Sequence, residues 1–391
     1  MALSYRTAGE SHGPALIALV EGMPAGLEID AVFIDTELRR RQGGYGRGGR
    51  QRIESDTATF LSGVRRGQTI GSPIAMQITN RDSRLDDLEK TPPVHRPRPG
   101  HADLAGSVKW LTVDCRETLE RASARETAAR VAAGALARVL LASVGIEVFG
   151  FVRATLDVRT DVAPDTESWR ELRTKRDTSE VYCPDVSASA AMVERIHRVK
   201  TEKDTAGGLV EAHVFGCPMG LGSCMRWEDR LDARLAGATM GIQAFKSVEI
   251  GLGRECAFRQ GSQVHDPIGF DPGQREARSL GFVRPTNNAG GLEGGMTNGM
   301  PVVVTAAMKP ISTLGRGLPS VDLTTKEAVG SQYERSDVSA IAAASVVLEN
   351  VVGFEIARAF LEKFPGDTML ECHAALEAYL DMARRLPLPG R

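Results

Sequence analysis

The sequence has no closely spaced pair of cysteines. Its six thiols, Cys115, Cys183, Cys217, Cys224, Cys256 and Cys372, stand singly. Without a C-x-x-C pair, neither a zinc site nor a redox dithiol has support, no metal site is expected, and single buried thiols suit a reduced, cytosolic protein. Long apolar runs are missing too: nothing reads as a signal peptide or a bilayer span, so the expectation is a cytoplasmic protein with no membrane partner. Neither sign of charge is in excess, the net value being −2. That excludes a global attraction for nucleic acid or anionic lipid, so any anion site must come from local clustering of arginine. The common phosphate loops are absent as well. There is no G-x-x-x-x-G-K-[ST], and no G-x-G-x-x-G running from a strand into a helix.

No shift of composition marks a domain boundary, since the 41 glycines and 19 prolines are spread along the whole chain. A length of 391 residues would ordinarily allow two or three domains and can bury a sizeable core. Strand-like runs are 15–21, 74–78, 209–215 and 301–308, all short and apolar or alternating. Helical patterns cover 123–143, 229–245 and 337–364, the first with Ser123-x-x-Glu126 as a capping box. The stretch 160–175 is charged and reads as a surface excursion. Residues 20–27 (VEGMPAGL) echo 214–221 (VFGCPMGL), which suggests a duplicated β-rich unit; a chance G-x-P-x-G turn is the alternative.

Six short constellations carry the chemical content. Gly9-Glu10-Ser11-His12-Gly13 sets an imidazole between glycines that allow close ligand approach, although an incidental turn would look the same. Residues 39–52 (RRRQGGYGRGGRQR) hold six arginines and five glycines. Their forked donors suit phosphates and carboxylates, a solvated turn is the bland reading, and RNA is the rival ligand; the single Tyr45 weakens the RNA reading. Arg96-Pro97-Arg98-Pro99-Gly100-His101-Ala102-Asp103 places a proton donor beside two guanidinium groups. In Glu120-Arg121-Ala122-Ser123-Ala124-Arg125-Glu126-Thr127, a helix start flanked by arginines would attract anions. Arg335-Ser336-Asp337 would open the last long helix. Gly290-Gly291-Leu292-Glu293-Gly294-Gly295 permits close backbone approach, and Lys309-Pro310-Ile311-Ser312-Thr313 could hold a phosphate or a ring. Together they describe a site crowded with arginine in a chain of almost no net charge, which argues for a small polyanionic substrate with an anionic cofactor.

These motifs, at 9–13, 96–103, 120–136, 290–295, 309–313 and 335–337, resemble those of the chorismate synthase family in the family's order, with the likeness running from about residue 5 to 364. The resemblance implies an α+β fold: a single-domain β-α-β sandwich over 1–391, with a helical layer between antiparallel sheets, in a homotetramer. It implies a lyase that eliminates phosphate and a ring hydrogen, in anti 1,4 fashion, from 5-enolpyruvylshikimate 3-phosphate. Reduced FMN would lend electron density and recover it, with no net redox change. Carried over by position, His12 resembles the acid for the departing phosphate, His101 the residue that protonates reduced flavin near N1, and Asp337 the acid that helps N5 take up the ring proton. Ser11 and Ser123 would support them by hydrogen bonding. Ser11, His12, Arg41, Arg47, Arg50, Arg98, Arg125 and Arg335 match substrate positions. Arg41 and Arg47 are also the positions associated with NADPH, while Arg121, Ala122, Ser123, Gln243, Ala244, Gly294, Lys309, Pro310, Ile311, Ser312, Thr313 and Arg335 match FMN positions. Residues 222–227 lack a His that relatives tend to carry, and 251–286 looks long. A flavin reductase or NADPH oxidoreductase is the alternative enzyme, an RNA-binding protein the non-enzyme alternative. Whether the electrons come from NADPH on this chain or from an external flavin reductase stays open.

Overall fold

The computed structural model describes residues 2–49, 55–334 and 336–388; Arg50, Arg52 and Arg335 lie outside them. Strands β1 (Ser4–Ala8), β2 (Ala15–Glu21), β3 (Thr59–Phe60) and β4 (Ile74–Thr79) form an antiparallel sheet in the order β1-β2-β4-β3. Strands β5 (Glu147–Thr155), β6 (Val158–Arg159), β7 (Gly208–Phe215), β8 (Phe245–Ile250) and β9 (Val302–Met308) form a second, in the order β8-β9-β7-β5-β6. Alternation explains the packing of β2, where Leu16, Ala18 and Val20 turn inward, and of β9, where Val302, Val304, Ala306 and Met308 do. Strands β5 and β7 are instead buried along most of both faces, because Phe149, Phe151 and Phe215 meet Trp169 on the outer side.

The helices among the described residues are α1 (Ala31–Gln42), α2 (Asp103–Lys109), α3 (Arg116–Ala122), α4 (Thr127–Ser143), α5 (Trp169–Thr178), α6 (Val186–Thr201), α7 (Leu231–Met240), α8 (Gly261–Val264), α9 (Ile341–Lys363) and α10 (Met369–Arg384). None is long and apolar enough to cross a membrane. Helix α4 packs on β2 and β4, α9 on β5 and β7, and the two helices pack on each other, which gives the sheet–helix–sheet sandwich. Gly134 of α4 lies against Asn350 of α9, and Gly353 of α9 against Arg138 of α4, so the helices run parallel and their N-termini share one end of the molecule. A Cβ on Gly134 would stand 2.3 Å from the Asn350 carbonyl oxygen. Gly134→Ala is therefore expected to lower stability by about 1–3 kcal/mol despite alanine's better helix propensity, read as a lower denaturant midpoint. An unchanged midpoint would mean the helices separate without cost.

The duplication is present in detail. Sheet orders β1-β2-β4-β3 and β5-β7-β9-β8 correspond, with α1 and α7, and α4 and α9, in matching places. After β2, Gly22 and Gly26 adopt φ of +81° and +85°; after β7, Gly216 and Gly220 adopt +79° and +84°. Leu27 N–H donates to Thr69 Oγ1 (2.9 Å), which donates to the Pro24 carbonyl (2.6 Å). Leu221 N–H donates to Thr297 Oγ1 (2.8 Å), which donates to the Pro218 carbonyl (2.6 Å). So the G-x-P-x-G echo is a repeated turn locked by a repeated threonine.

Several boundaries differ from the sequence reading. The 123–143 helix is broken: α3 ends at Ala122, a 3₁₀ turn covers Ala124–Glu126, and α4 starts at Thr127. The capping box does not form, because Glu126 turns to Thr7, Arg130 and Gln243 instead of the Ser123 backbone. The 229–245 pattern splits into a 3₁₀ turn, α7 and the start of β8. Asp337 does not cap a helix; α9 begins at Ile341 and α10 follows it. The arginine loop begins inside α1, and Arg40 is part of a buried network with Glu37, Arg138, Arg176 and Glu349 rather than a flexible cation. The excursion at 160–175 contains the start of α5, whose Trp169 is buried.

Candidate active site

The parallel helix starts open into a cavity of about 530 Å³, a size common for small-molecule sites. Two macrodipoles and a set of cationic side chains make that end attractive to anions. The floor is apolar, from Ile242, Ala244, Phe245, Ala343, Ala344 and Val347, and the walls are polar.

Three loops carry the walls. The β1–β2 loop holds Ser11 and His12. Gly9 opens it at φ +102°, where a Cβ would strike the Ala15 carbonyl oxygen at 2.3 Å. Ser11 N–H donates to the Glu120 carbonyl (3.1 Å), Ser123 Oγ lies 3.1 Å from Ser11 Oγ, and Asn80 Nδ2 donates to the Glu10 and Gly13 carbonyls. His12 Nδ1 lies 2.9 Å from Glu120 Oε1. The segment before α2 brings in Arg98 and His101: Arg98 Nε donates to Asp103 Oδ2 (2.8 Å) and Nη1 to Thr313 Oγ1 (3.2 Å), while His101 Nδ1 contacts Asp103 Oδ1. The segment between β9 and α9 supplies Lys309, Ile311, Ser312, Thr313 and Asp337.

Behind the arginines stands Asp56, fully buried, whose Oδ2 accepts from Arg41 Nη2 (2.9 Å) and Arg125 Nη1 (2.7 Å). Burial pushes the Asp56 carboxyl up, but Arg41 and Arg125 outweigh it and leave it below the usual carboxylate range. Arg47 pairs with Asp337 (2.6 Å), which also accepts from Gly48 N–H. Lys309 forms no ion pair among the described residues, and burial, then Lys246, pull its ammonium down. Gln243 Nε2 donates to Glu126 Oε2 (2.8 Å), while Gln243 Oε1 is buried at the cavity wall with no hydrogen-bond partner among the described residues. Next to it Ala244 of the floor, a non-glycine, adopts φ +69°.

The cavity thus gathers Ser11, His12, Arg41, Arg47, Arg98, His101, Ala122, Ser123, Arg125, Gln243, Ala244, Lys309, Ile311, Ser312, Thr313 and Asp337 from the sequence reading. Three residues do not line it. Arg121 points back to the Gly9 and Thr7 carbonyls (both 3.0 Å) as a strut for the histidine loop. Gly294 sits at φ +58° in the tight hairpin Leu292–Thr297, the same turn position as Arg66 in the first half. Pro310 only separates lining neighbours. Arg50 and Arg335 lie outside the described residues. The sequence reading gave the carboxylates no site role: Asp56 lay outside its motifs, Asp103 and Glu120 stood inside them unassigned and Glu126 stood as a helix cap, yet each orients a cavity residue. The long-range ones, such as Glu120 facing His12 across 108 positions, carry no local signal of that role.

Comparison with known proteins agrees with this arrangement. The family model described as chorismate synthase matches residues 3–361. The chorismate synthase of Desulforamulus reducens is 50% identical over 393 residues, covering 98% of this chain and 100% of the relative. That of Desulforudis audaxviator is 52% identical, covering 98% of each. A crystal structure of chorismate synthase superposes with a TM-score of 0.79 at 39% identity, covering 98% of this chain and 99% of that one. The chain belongs to the chorismate synthase family.

Proposed function

We propose that the cavity binds 5-enolpyruvylshikimate 3-phosphate together with reduced FMN, and that residues 1–391 act as one catalytic domain. The enzyme class follows from family membership: the chain is a carbon–oxygen lyase acting on phosphates, a chorismate synthase of the shikimate pathway. The observation that carries the ligand reading is the pairing of an apolar floor with unsatisfied polar groups above it. The floor suits a flat ring, the Gln243 oxygen suits an N–H donor, and Lys309, with no ion pair among the described residues, suits a phosphate. When bound, reduced flavin supplies electron density that the non-acidic C–H bond of the substrate requires.

The chain's own residues do the rest. Arg41, Arg47, Arg98 and Arg125, with Arg50 and Arg335 of the sequence, clamp the substrate's phosphate and carboxylates, and Ser11 and Ser123 orient the histidine loop. Asp56 keeps Arg41 and Arg125 side by side despite their like charge. His12 holds a proton at Nε2 for the departing phosphate, His101 holds one for the flavin, and Asp337 moves a proton at its carboxylate. Gln243, Ala244, Lys309 and Ser312 hold the cofactor. The protein works in the cytoplasm as a homotetramer.

An anaerobic assay tests this. Substrate plus chemically reduced FMN is expected to give chorismate, followed by its absorbance. Folded protein that forms no chorismate would overturn the reading. Separate reactions with FMN and NADPH, with and without an external flavin reductase, identify the source of electrons: product with NADPH alone assigns that role to this chain, and product only with the reductase assigns it to a partner.

A further inference from the structure

We propose that Glu120 and Asp103 are positioning residues that each fix one cavity histidine with its proton on Nδ1, so that Nε2 is the atom offered to the ligands. The inference rests on the proposed roles of His12 and His101 and concerns groups that those roles leave unexplained.

An ionised carboxylate only accepts hydrogen bonds, so a ring nitrogen in contact with one must donate. Glu120 is completely buried on α3. Its Oε1 and Oε2 lie 2.9 and 3.0 Å from His12 Nδ1, and Oε2 also accepts the His12 backbone N–H at 2.8 Å. With the His12 backbone N–H already donating to Oε2 and Arg116 Nη1 3.7 Å from Oε1, the group is held as a carboxylate, below the usual range despite its burial; it is therefore the acceptor, and Nδ1 carries the proton. The Glu120 carbonyl takes the Ser11 N–H as well, so one residue fixes both the backbone and the ring of the histidine loop. On the other edge, Nε2 stands 3.5 Å from Arg84 Nη2 and 3.8 Å from Asp82 Oδ2. A donor and an acceptor there accommodate Nε2 with and without a proton.

Around His101 the contacts compete. Nδ1 lies 2.5 Å from Asp103 Oδ1 and 3.0 Å from Arg98 Nη2. A guanidinium can only donate and a carboxylate can only accept, so Nδ1 serves one of them. Arg98 already spends Nε and Nη2 on Asp103, at 2.8 and 3.1 Å. The shorter contact decides for Nδ1–H donating to Asp103, and the Arg98 approach is then a packing contact. The two dyads differ in one useful way. Removing the Asp103 charge also frees Arg98, a proposed substrate clamp, whereas among the described residues Glu120 reaches no substrate residue other than those on the histidine loop.

Glu120→Gln is therefore the cleaner probe, with Glu120→Asp as the conservative control. An amide can face Nδ1 with either end, so the ring loses its single tautomer. Turnover is expected to fall about 10²-fold, the direction established for dyads of this kind, with KM changed less than threefold and part of the rate restored in Glu120→Asp. The direct readout is ¹⁵N-histidine NMR at alkaline pH, the His12 signals being assigned by their loss in His12→Asn. The wild-type chain should show the Nδ1–H tautomer and Glu120→Gln a mixture. A wild-type Nε2–H tautomer would overturn the proposal even if the variant failed to fold, and so would an unchanged tautomer with unchanged turnover in a folded variant. The spectra need no lyase activity, so failure of the functional reading would show separately, as absent chorismate with the tautomer intact.

Discussion

His12→Ala and His101→Ala should each lower turnover by roughly 10²-fold or more, the scale of a lost general acid, while the protein stays folded. Both rings line the cavity, with side chains only 14% and 20% exposed. The fold should survive because neither carboxylate is left alone. Glu120 keeps the His12 backbone N–H and Arg116, and Asp103 keeps the two-point contact from Arg98. That matters, because a buried charge stripped of every partner costs several kcal/mol and would confuse lost chemistry with lost structure. The measurement is kcat at saturating substrate and chemically reduced FMN, with a thermal midpoint for each variant. Near wild-type turnover in folded variants would remove both residues from the proton-handling set. The double variant adds a further check. If the rings serve different protons their losses multiply; if they act as one unit the double variant is little worse than the worse single one.

The sequence exposed those parts of the architecture whose pattern is local. Strands β2, β4, β7 and β9 appear within a residue or two because alternation or a short apolar run survives in them. Helix α1 was obscured by its own arginines: Asp30, Ile34 and Leu38 mark a capped helix, but Arg39-Arg40-Arg41 reads as a solvated loop until the buried Glu37 and Glu349 are seen to receive Arg40. Helix α10 was not read from the sequence at all, although the Thr368–Glu371 capping box and the stripe of Cys372, Leu376 and Leu380 mark it. For the site, the lining residues were within reach because six motifs share one family order. Their supports were not, because Asp56, Glu120 and Glu126 reach the cavity residues Arg41, Arg125, His12 and Gln243 from 15 to 117 positions away, and nothing local separates a buried carboxylate from a solvated one. Gly294 shows the converse: its motif was visible, yet its left-handed turn serves a hairpin and not the cavity wall.

Asp337→Asn should abolish most turnover, by roughly 10² to 10⁴-fold, with the fold and FMN binding retained. The helix-cap alternative has gone, since α9 starts four residues later with no side-chain cap. What replaces it is an anchor: the carboxylate lies between Arg47 Nη1 at 2.6 Å and Gly48 N–H, so it ties the glycine–arginine segment to the cavity rim. Asparagine can keep the Gly48 bond through its amide oxygen, but an amide NH₂ facing the guanidinium would set donor against donor. The anchor would weaken by about 1–2 kcal/mol, felt first in how well Arg47 meets the substrate. Anchoring and proton transfer therefore separate in the kinetics. If Asp337 only anchors, Asp337→Asn should resemble Arg47→Ala, with raised KM and kcat largely kept. If it moves a proton, kcat should collapse in Asp337→Asn well beyond its loss in Arg47→Ala, while calorimetry shows FMN still binding. Matching kinetic profiles for the two variants would make Asp337 a loop anchor and leave the ring proton to another group.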